Sequence, residues 1–157
     1  MALRNLRMAG DDILRRKSKA VDVIDSRIIG LLDDMVETMR HHDGIGLAAV
    51  QVGSLRRIVV VDVSEDGDNL VELINPEIIA SDGVQQGNEG CLSVPKYHGL
   101  VDRPATARVR AQNRHGEWFE MDCEGDLSIA VCHEIDHLDG VMYMDRALKM
   151  YQTKDDE

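Results

Sequence analysis

Apolar residues spaced three and four apart between positions 28 and 39 form the clearest regular pattern near the start of the chain. This spacing puts them on one face and predicts an amphipathic helix; they are Ile28, Ile29, Leu32, Met35, Val36 and Met39. Asp25 or Ser26 is positioned to cap the start of this helix, and Gly44 to end it. Residues 44–53 are small or apolar with a glycine at each end, which predicts a tight backbone passage instead of a regular element.

Runs of β-branched residues predict the strands that follow. We expect strands at 58–63, at 71–74 and 77–79 on either side of Pro76, and at 107–112 and 118–122, the last two joined as a hairpin by a turn at 114–116. A second helix is predicted from Asp126, as its cap, through Leu138, with Gly140 as its stop. Because no repeat, low-complexity tract or linker interrupts the chain, we predict a single domain spanning residues 1–157.

Composition narrows the classes of function. The 157 residues carry a formal net charge of −11, and 43% are hydrophobic but only 3% aromatic. This balance suits an aliphatic core, and the negative charge disfavours nucleic-acid binding as the main activity. We expect the cations near the amino terminus to form a solvated face; they are Arg4, Arg7, Arg15, Arg16, Lys17 and Lys19. No apolar run approaches the roughly 18 residues of a membrane span, and the first 20 residues lack the apolar centre of a signal peptide. We therefore expect a cytoplasmic protein with no membrane contact.

The sharpest chemical signal lies in the second predicted helix, where His133 and His137 are four residues apart. Residues with this spacing share one helix face, so two imidazoles can converge on one metal ion. Glu134, beside the first histidine, is positioned to act as a general base without ligating. The alternative is a surface helix with incidental histidines and acidic residues.

A tetrahedral catalytic site needs a third protein ligand. The chain after His137 contains neither His nor Cys, so the third ligand is expected upstream. Cys91 stands between Gly90 and a short apolar stretch that Pro95 closes, and its thiolate would complete the set. The alternative for Cys91 is a buried small hydrophobe, which is also what we expect of Cys123 and Cys132.

With these residues the chain resembles the peptide deformylases. Three motifs of that family occur in the family's order: Gly44-Ile45-Gly46-Leu47-Ala48-Ala49-x-Gln51, Glu89-Gly90-Cys91-Leu92-Ser93 and His133-Glu134-x-x-His137. The resemblance implies an α+β fold with antiparallel strands wrapped around a central helix that carries the two histidines. It also implies one Fe²⁺ ion per chain, for which Zn²⁺, Ni²⁺ or Co²⁺ can substitute. The implied reaction removes the formyl group from N-formylmethionyl nascent peptides and releases formate, with transient contact to the ribosome.

The resemblance assigns further roles around the metal. The side-chain amide of Gln51 and the backbone N–H of Leu92 would stabilise the oxyanion. Ile45 and Ile129, with His133, would line an apolar slot for the methionine side chain, and the backbone of Gly46 would pair with the extended peptide. The alternatives without a functional role are an ordinary polar loop residue for Gln51 and a helix core residue for Ile129.

Charged residues outside the ligand set are expected to support it. Arg103, just before Pro104, is positioned to pair with Glu89 and Asp136 and so to orient the segments that carry the ligands; the alternative is ordinary surface ion pairing. The chain departs from the family at Cys132, where glutamine is usual, and at His98, where some relatives have arginine. It also lacks the longer terminal helix of many bacterial members.

The sequence is also compatible with three other functions. An HExxH metallopeptidase would use the same helix, but its usual downstream ligand is absent and Cys91 would have no role. A catalytically inactive binding homologue would be expected to lack Glu134, Gln51 or Cys91, and all three are present. A deformylase acting on another N-formyl compound would share the same metal ligands.

Overall fold

The computed structural model describes residues 2–153. Within this range the chain forms three α-helices and eight strands. The helices are α1 (Ser26–His41), α2 (Gly125–Leu138) and α3 (Tyr143–Arg146), and short 3₁₀ turns occupy Asp12–Arg15 and Ala49–Val52. The strands are β1 (Gly46–Ala48), β2 (Ile58–Val61), β3 (Val71–Asp82), β4 (Gln85–Cys91), β5 (Val94–Arg103), β6 (Thr106–Gln112), β7 (Trp118–Glu124) and β8 (Lys149–Gln152).

The strands form two antiparallel sheets. One has five strands in the order β1-β2-β3-β6-β7, and the other has three in the order β4-β5-β8. Helix α2 contacts strands of both sheets. The predicted α+β class with antiparallel strands is therefore confirmed.

Strand β2 shows how the five-stranded sheet lies between two helices. All four of its residues are fully buried, but they alternate between two apolar clusters. Ile58 and Val60 pack in the cluster that contains the apolar face of α1, whereas Val59 and Val61 pack with residues of α2. Each face of the sheet therefore has its own core.

Helix α1 confirms the first prediction from periodicity. The Asp25 carboxylate accepts hydrogen bonds from the N–H groups of Arg27 and Ile28, both at 3.1 Å, which makes it the N-cap. The helix ends at His41, three residues before the predicted stop, and Asp43 takes a left-handed conformation with φ 55°.

The prediction of an irregular segment at 44–53 was wrong. Gly46, Leu47 and Ala48 form strand β1, which pairs with Val61, Val60 and Val59 of β2, and a 3₁₀ turn follows. This strand is buried throughout, so it shows none of the apolar and polar alternation that reveals a half-buried strand.

Two further boundaries differ from the prediction. The expected strands at 71–74 and 77–79 are one strand, β3, with a register irregularity between Ile74 and Glu77 that accommodates Pro76. Helix α2 begins at Gly125 with Glu124 as its N-cap, so Asp126 lies in the first turn and is not the cap. Strands β4, β5 and β8 were not predicted, while the β6–β7 hairpin was.

The amino-terminal cations are largely exposed, as expected, and three of them pair with acidic residues. Arg4 pairs with Asp34 at 2.9 Å and Arg7 with Asp11 at 3.0 Å, and Arg15 contacts Asp145. Among the residues from 2 to 153, no helix combines the length and the apolar character that crossing a membrane requires.

Candidate metal centre

Three side chains that can ligate a metal ion meet between the β4–β5 hairpin and α2. Cys91 ends β4 and pairs with Val94 across the tight turn, while His133 and His137 lie one turn apart on α2. One ligand atom from each residue lies within 4.8 Å of the other two, and Cys91 Sγ is 3.4 Å from His137 Nε2. The structure therefore brings the three predicted ligands to one point.

The donor set and its surroundings fit a single divalent ion. A thiolate with two imidazoles is accepted by zinc and by other borderline divalent ions, and three protein ligands leave a position open for substrate or water. His133 Nδ1 lies 2.7 Å from Glu89 Oε1, which orients the ring and leaves Nε2 as its ligand atom. Both histidines are buried and Cys91 is half-buried.

Arg103 links Glu89 of β4 to Asp136 of α2. Its guanidinium donates to the two Glu89 carboxylate oxygens at 2.7 and 2.8 Å and to Asp136 Oδ2 at 2.7 Å. Asp136 also accepts two hydrogen bonds from Arg146 on α3. The side chains of Arg103 and Glu89 are only 3% and 4% exposed, so this is a buried network and not a surface ion pair.

Glu134 lies in the same enclosed space. Its Oε1 has no hydrogen-bond partner among the residues that the structure describes, and its Oε2 is 4.0 Å from His133 Nε2. The backbone of Gly46 packs directly on this carboxyl, because a Cβ at position 46 would come 2.5 Å from Glu134 Oε2. Burial raises the pKa of Glu134 to about 7, which suits a group that takes up and returns a proton near neutral pH.

The two histidines differ in their proton affinity. Burial lowers the pKa of His137 to about 3, so its ring is neutral and available to a metal ion. Burial also opposes protonation of His133, but the charge of Glu134 and the hydrogen bonds with Cys91 and Glu89 outweigh it and raise the pKa of His133 to about 10. A metal ion that binds His133 must therefore displace a proton.

Gln51 approaches the centre from the sheet side. Its Oε1 accepts from the N–H of Ala48 at 2.9 Å, which fixes the amide orientation. Its Nε2 donates to Ser93 Oγ at 3.0 Å and lies 3.3 Å from Cys91 Sγ. The side chain is almost completely buried, so Gln51 is not an ordinary polar loop residue.

Two adjoining cavities of about 490 and 530 Å³ open beside Glu134 and His133. Ile129 lines the first, Gly46, Gln51 and Leu92 line the second, and Ile45 lies between the two and borders both. The structure therefore groups every residue predicted for oxyanion or substrate contact around the ligand cluster.

Two residues of the centre were not predicted. Ser93 lies inside the second motif, but its contact with Gln51 joins positions 42 apart in the chain, which no local pattern indicates. Tyr143 is buried and stacks on His133 with ring centroids 5.9 Å apart, and no sequence pattern near it indicates this contact.

The two departures from the family lie outside the ligand cluster. Cys132 is buried, and burial raises the pKa of its thiol. His98 is on β5, where it stacks on Tyr151 and its Nδ1 lies 3.1 Å from Thr153 Oγ1. Neither residue lines the two cavities.

Comparison with known proteins agrees with this geometry. Residues 3–153 match the family described as "Polypeptide deformylase". The peptide deformylase of Acetivibrio thermocellus is 54% identical over 149 residues, which cover 95% of this chain and 86% of that protein. That of Lachnoclostridium phytofermentans is 51% identical, covering 93% and 90%.

Solved structures give the same result. The crystal structure of peptide deformylase from Thermotoga maritima has a TM-score of 0.90 and 39% identity, covering 95% of this chain and all of that one. A peptide deformylase from Legionella pneumophila also has a TM-score of 0.90, with 38% identity and coverage of 92% and 86%. With the motifs, the ligand cluster and these similarities together, the chain belongs to the polypeptide deformylase family.

Proposed function

We propose that this protein removes the formyl group from the amino terminus of N-formylmethionyl nascent peptides and releases formate. The observation that carries the proposal is the meeting of Cys91, His133 and His137 with Glu134 and Gln51 at one buried point. Family membership supports the same reaction, because the relatives that match over nearly the whole chain are named peptide deformylases.

Cys91, His133 and His137 would hold one divalent ion per chain. Such an ion, when bound, supplies positive charge that polarises the formyl carbonyl and makes a water molecule more acidic. We propose Fe²⁺ as the native ion, with Zn²⁺, Ni²⁺ or Co²⁺ able to substitute, since a thiolate with two imidazoles suits all of these. Glu89 and Arg103 would keep His133 oriented from outside the ligand set.

Glu134 would carry the proton through the reaction. Its carboxylate takes a proton from the attacking water and then gives it to the amine that leaves, acting first as base and then as acid. Its pKa near neutrality and its unpartnered Oε1 support both steps. Packing against Gly46 limits the space in which the carboxyl can move.

Gln51 and Leu92 would stabilise the charge that develops on the formyl oxygen. Ala48 and Ser93 fix the orientation of the Gln51 amide, so its second N–H is directed at the ligand cluster, where Nε2 lies 3.3 Å from Cys91 Sγ. Leu92 follows Cys91 in the β4–β5 turn and lines the same cavity, which supports a role for its backbone N–H beside the ligands. Donors fixed in advance are worth most where water is excluded.

The substrate would lie in the two cavities. The methionine side chain enters the cavity lined by Ile45 and Ile129, and the peptide backbone pairs with that of Gly46 in β1. We place the enzyme in the cytoplasm, in transient contact with the ribosome, because formylated amino termini appear on nascent chains. The whole chain, residues 1–157, would act as one catalytic domain.

The direct test assays anaerobically prepared, Fe²⁺-loaded protein on an N-formylmethionyl peptide, with the N-acetyl and the unblocked peptide as matched controls. We expect formate and a free amino terminus from the formyl peptide only. Cleavage of an internal peptide bond without formate would instead identify a metallopeptidase. Faster hydrolysis of a small N-formyl compound than of the peptide would assign another substrate.

The metal assignment has its own test. Metal analysis after anaerobic purification is expected to find about one iron per chain. Because both a ferrous ion and its thiolate ligand can be oxidised, air should inactivate the iron form faster than the zinc-substituted form. Equal loss in air for the two forms, or zinc alone in the anaerobic preparation, would contradict the assignment of iron.

A further inference from the structure

The cavity beside Ile129 continues past this residue to the start of α2. It lies between β4 and one face of α2 and measures about 490 Å³. His133, Ile129 and Asp126 line it in that order towards the start of α2. At 1.5 Å per residue, Asp126 lies about 10 Å along the helix axis from His133. The cavity therefore leads from the ligand cluster to a carboxylate that the proposed reaction does not use.

The cavity wall changes along this path from apolar side chains to exposed polar ones. Ile129 and Ala130 are at least half-buried, whereas Gln86, Asn88 and Asp126 are exposed. Gly87 forms the side of β4 that faces Ile129, and a Cβ there would come 2.8 Å from Ile129 Cδ1. The absence of a side chain at Gly87 therefore lets Ile129 pack directly against β4 in the wall of the cavity.

The charged groups along the cavity favour a cation at its outer end. Within the described part of the chain, the ionisable residues that line it besides His133 are Glu89, Asp126 and Glu134, and no Lys or Arg side chain does so. Glu89 is already paired with Arg103, and Glu134 lies at the inner end beside the ligands. Among residues 2–153, Asp126 forms no ion pair, so its charge is available to a ligand.

We propose that Asp126 is a specificity-determining residue that extends the range of this site to N-formyl peptides whose first side chain is long and ends in a cation. A lysine side chain is one atom longer than a methionine side chain, and it ends in an ammonium instead of a methyl group. Its methylene groups would pack on Ile45 and Ile129 while the ammonium reaches towards the Asp126 carboxylate. This inference rests on the proposed function.

The test compares two N-formyl tripeptides that differ only at the first residue, lysine or norleucine, because norleucine is lysine without its ammonium. The quantity measured is the ratio of kcat/KM for the lysine peptide to that for the norleucine peptide, in wild type and in Asp126→Asn. Since the pair is partly exposed to solvent, we expect the ratio to fall about two- to fivefold in the variant. High salt should lower the wild-type ratio in the same direction.

Glu124→Gln is the matched control, because it removes the same charge two residues away from a side chain that does not line the cavity. Its ratio should equal that of wild type. An unchanged ratio in Asp126→Asn, or an equal fall in Glu124→Gln, would overturn the role of Asp126. Failure of the wild-type enzyme to release formate from an N-formylmethionyl peptide would overturn the proposed function instead, so the two failures are distinguishable.

Discussion

The two faces of the five-stranded sheet are covered by helices with different tasks. Helix α1 is capped by Asp25 and buries an almost wholly apolar face, with Thr38 as its one fully buried polar residue among those described. Helix α2 has no side-chain cap and buries four polar residues, Ser128, His133, Glu134 and His137. The first helix resembles an ordinary core element, and the second contributes its buried surface to a reactive site.

The two helices therefore contribute differently to the free energy of folding. Burial of the α1 side chains Leu32 and Met35 lowers the free energy of the folded state, and these apolar groups need no hydrogen-bond partner. Burial of His133 and Glu134 costs free energy unless hydrogen bonds or a metal ion compensate it. Changes on the α1 side should therefore alter stability alone, whereas changes on the α2 side should alter metal binding and turnover.

The largest effect is expected at the ligand from β4. Cys91→Ala removes one of three ligands, so metal content should fall far below one ion per chain and formate release should fall to background. Cys123→Ala is the control, since it removes a buried thiol outside the ligand cluster. Metal content near one ion per chain in Cys91→Ala would show that the thiol is not a ligand.

The second largest effect is expected in the hydrogen-bond network that Arg103 forms with Glu89 and Asp136. Arg103→Met leaves the buried Glu89 carboxylate without its cationic partner, so we expect the free energy of unfolding to fall by about 3–5 kcal/mol, with weaker metal binding in a chelator competition. Arg108→Met is the matched control, because Arg108 also bonds two carboxylates but at the surface. Equal loss of stability in the two variants would contradict the buried role of Arg103.

The core under α1 should respond differently. Met35→Ala creates a cavity in a fully buried position, with an expected cost of about 2–5 kcal/mol in urea denaturation. Metal content per folded chain should stay near one ion. A parallel loss of metal from the folded protein would show that the two faces of the sheet are not independent.

The smallest predicted effect concerns the start of α1. Asp25→Ala removes the acceptor for the N–H groups of Arg27 and Ile28, and we expect a loss of about 1 kcal/mol. Asp25→Asn keeps a capping side chain and should restore most of that stability. If both variants unfolded at the same denaturant concentration as wild type, the cap would have no energetic role.

The same contrast explains what the sequence predicted. Helix α1 could be read from its apolar period, and the pair His133 and His137 from its spacing, because both patterns are local. Strand β4 could not, since Gly87, Asn88 and Gly90 have low strand propensity and β4 forms only by pairing with β5.

Contacts between segments that are distant in the chain could not be predicted from the sequence either. Ser93 holds Gln51 across 42 positions, and Tyr143 stacks on His133 from α3, so neither role follows from a local pattern. The motifs named the residues of the site, and only the fold shows what fixes them in place.

The most direct test of the account is Glu134→Gln, with iron content and formate release measured on the same anaerobic preparation. The variant keeps the shape of the side chain but cannot take up the proton, so the account predicts about one metal ion per chain with kcat lowered about 10²- to 10⁴-fold. Formate release at the wild-type rate by the metal-loaded variant would contradict the role of Glu134 as acid and base.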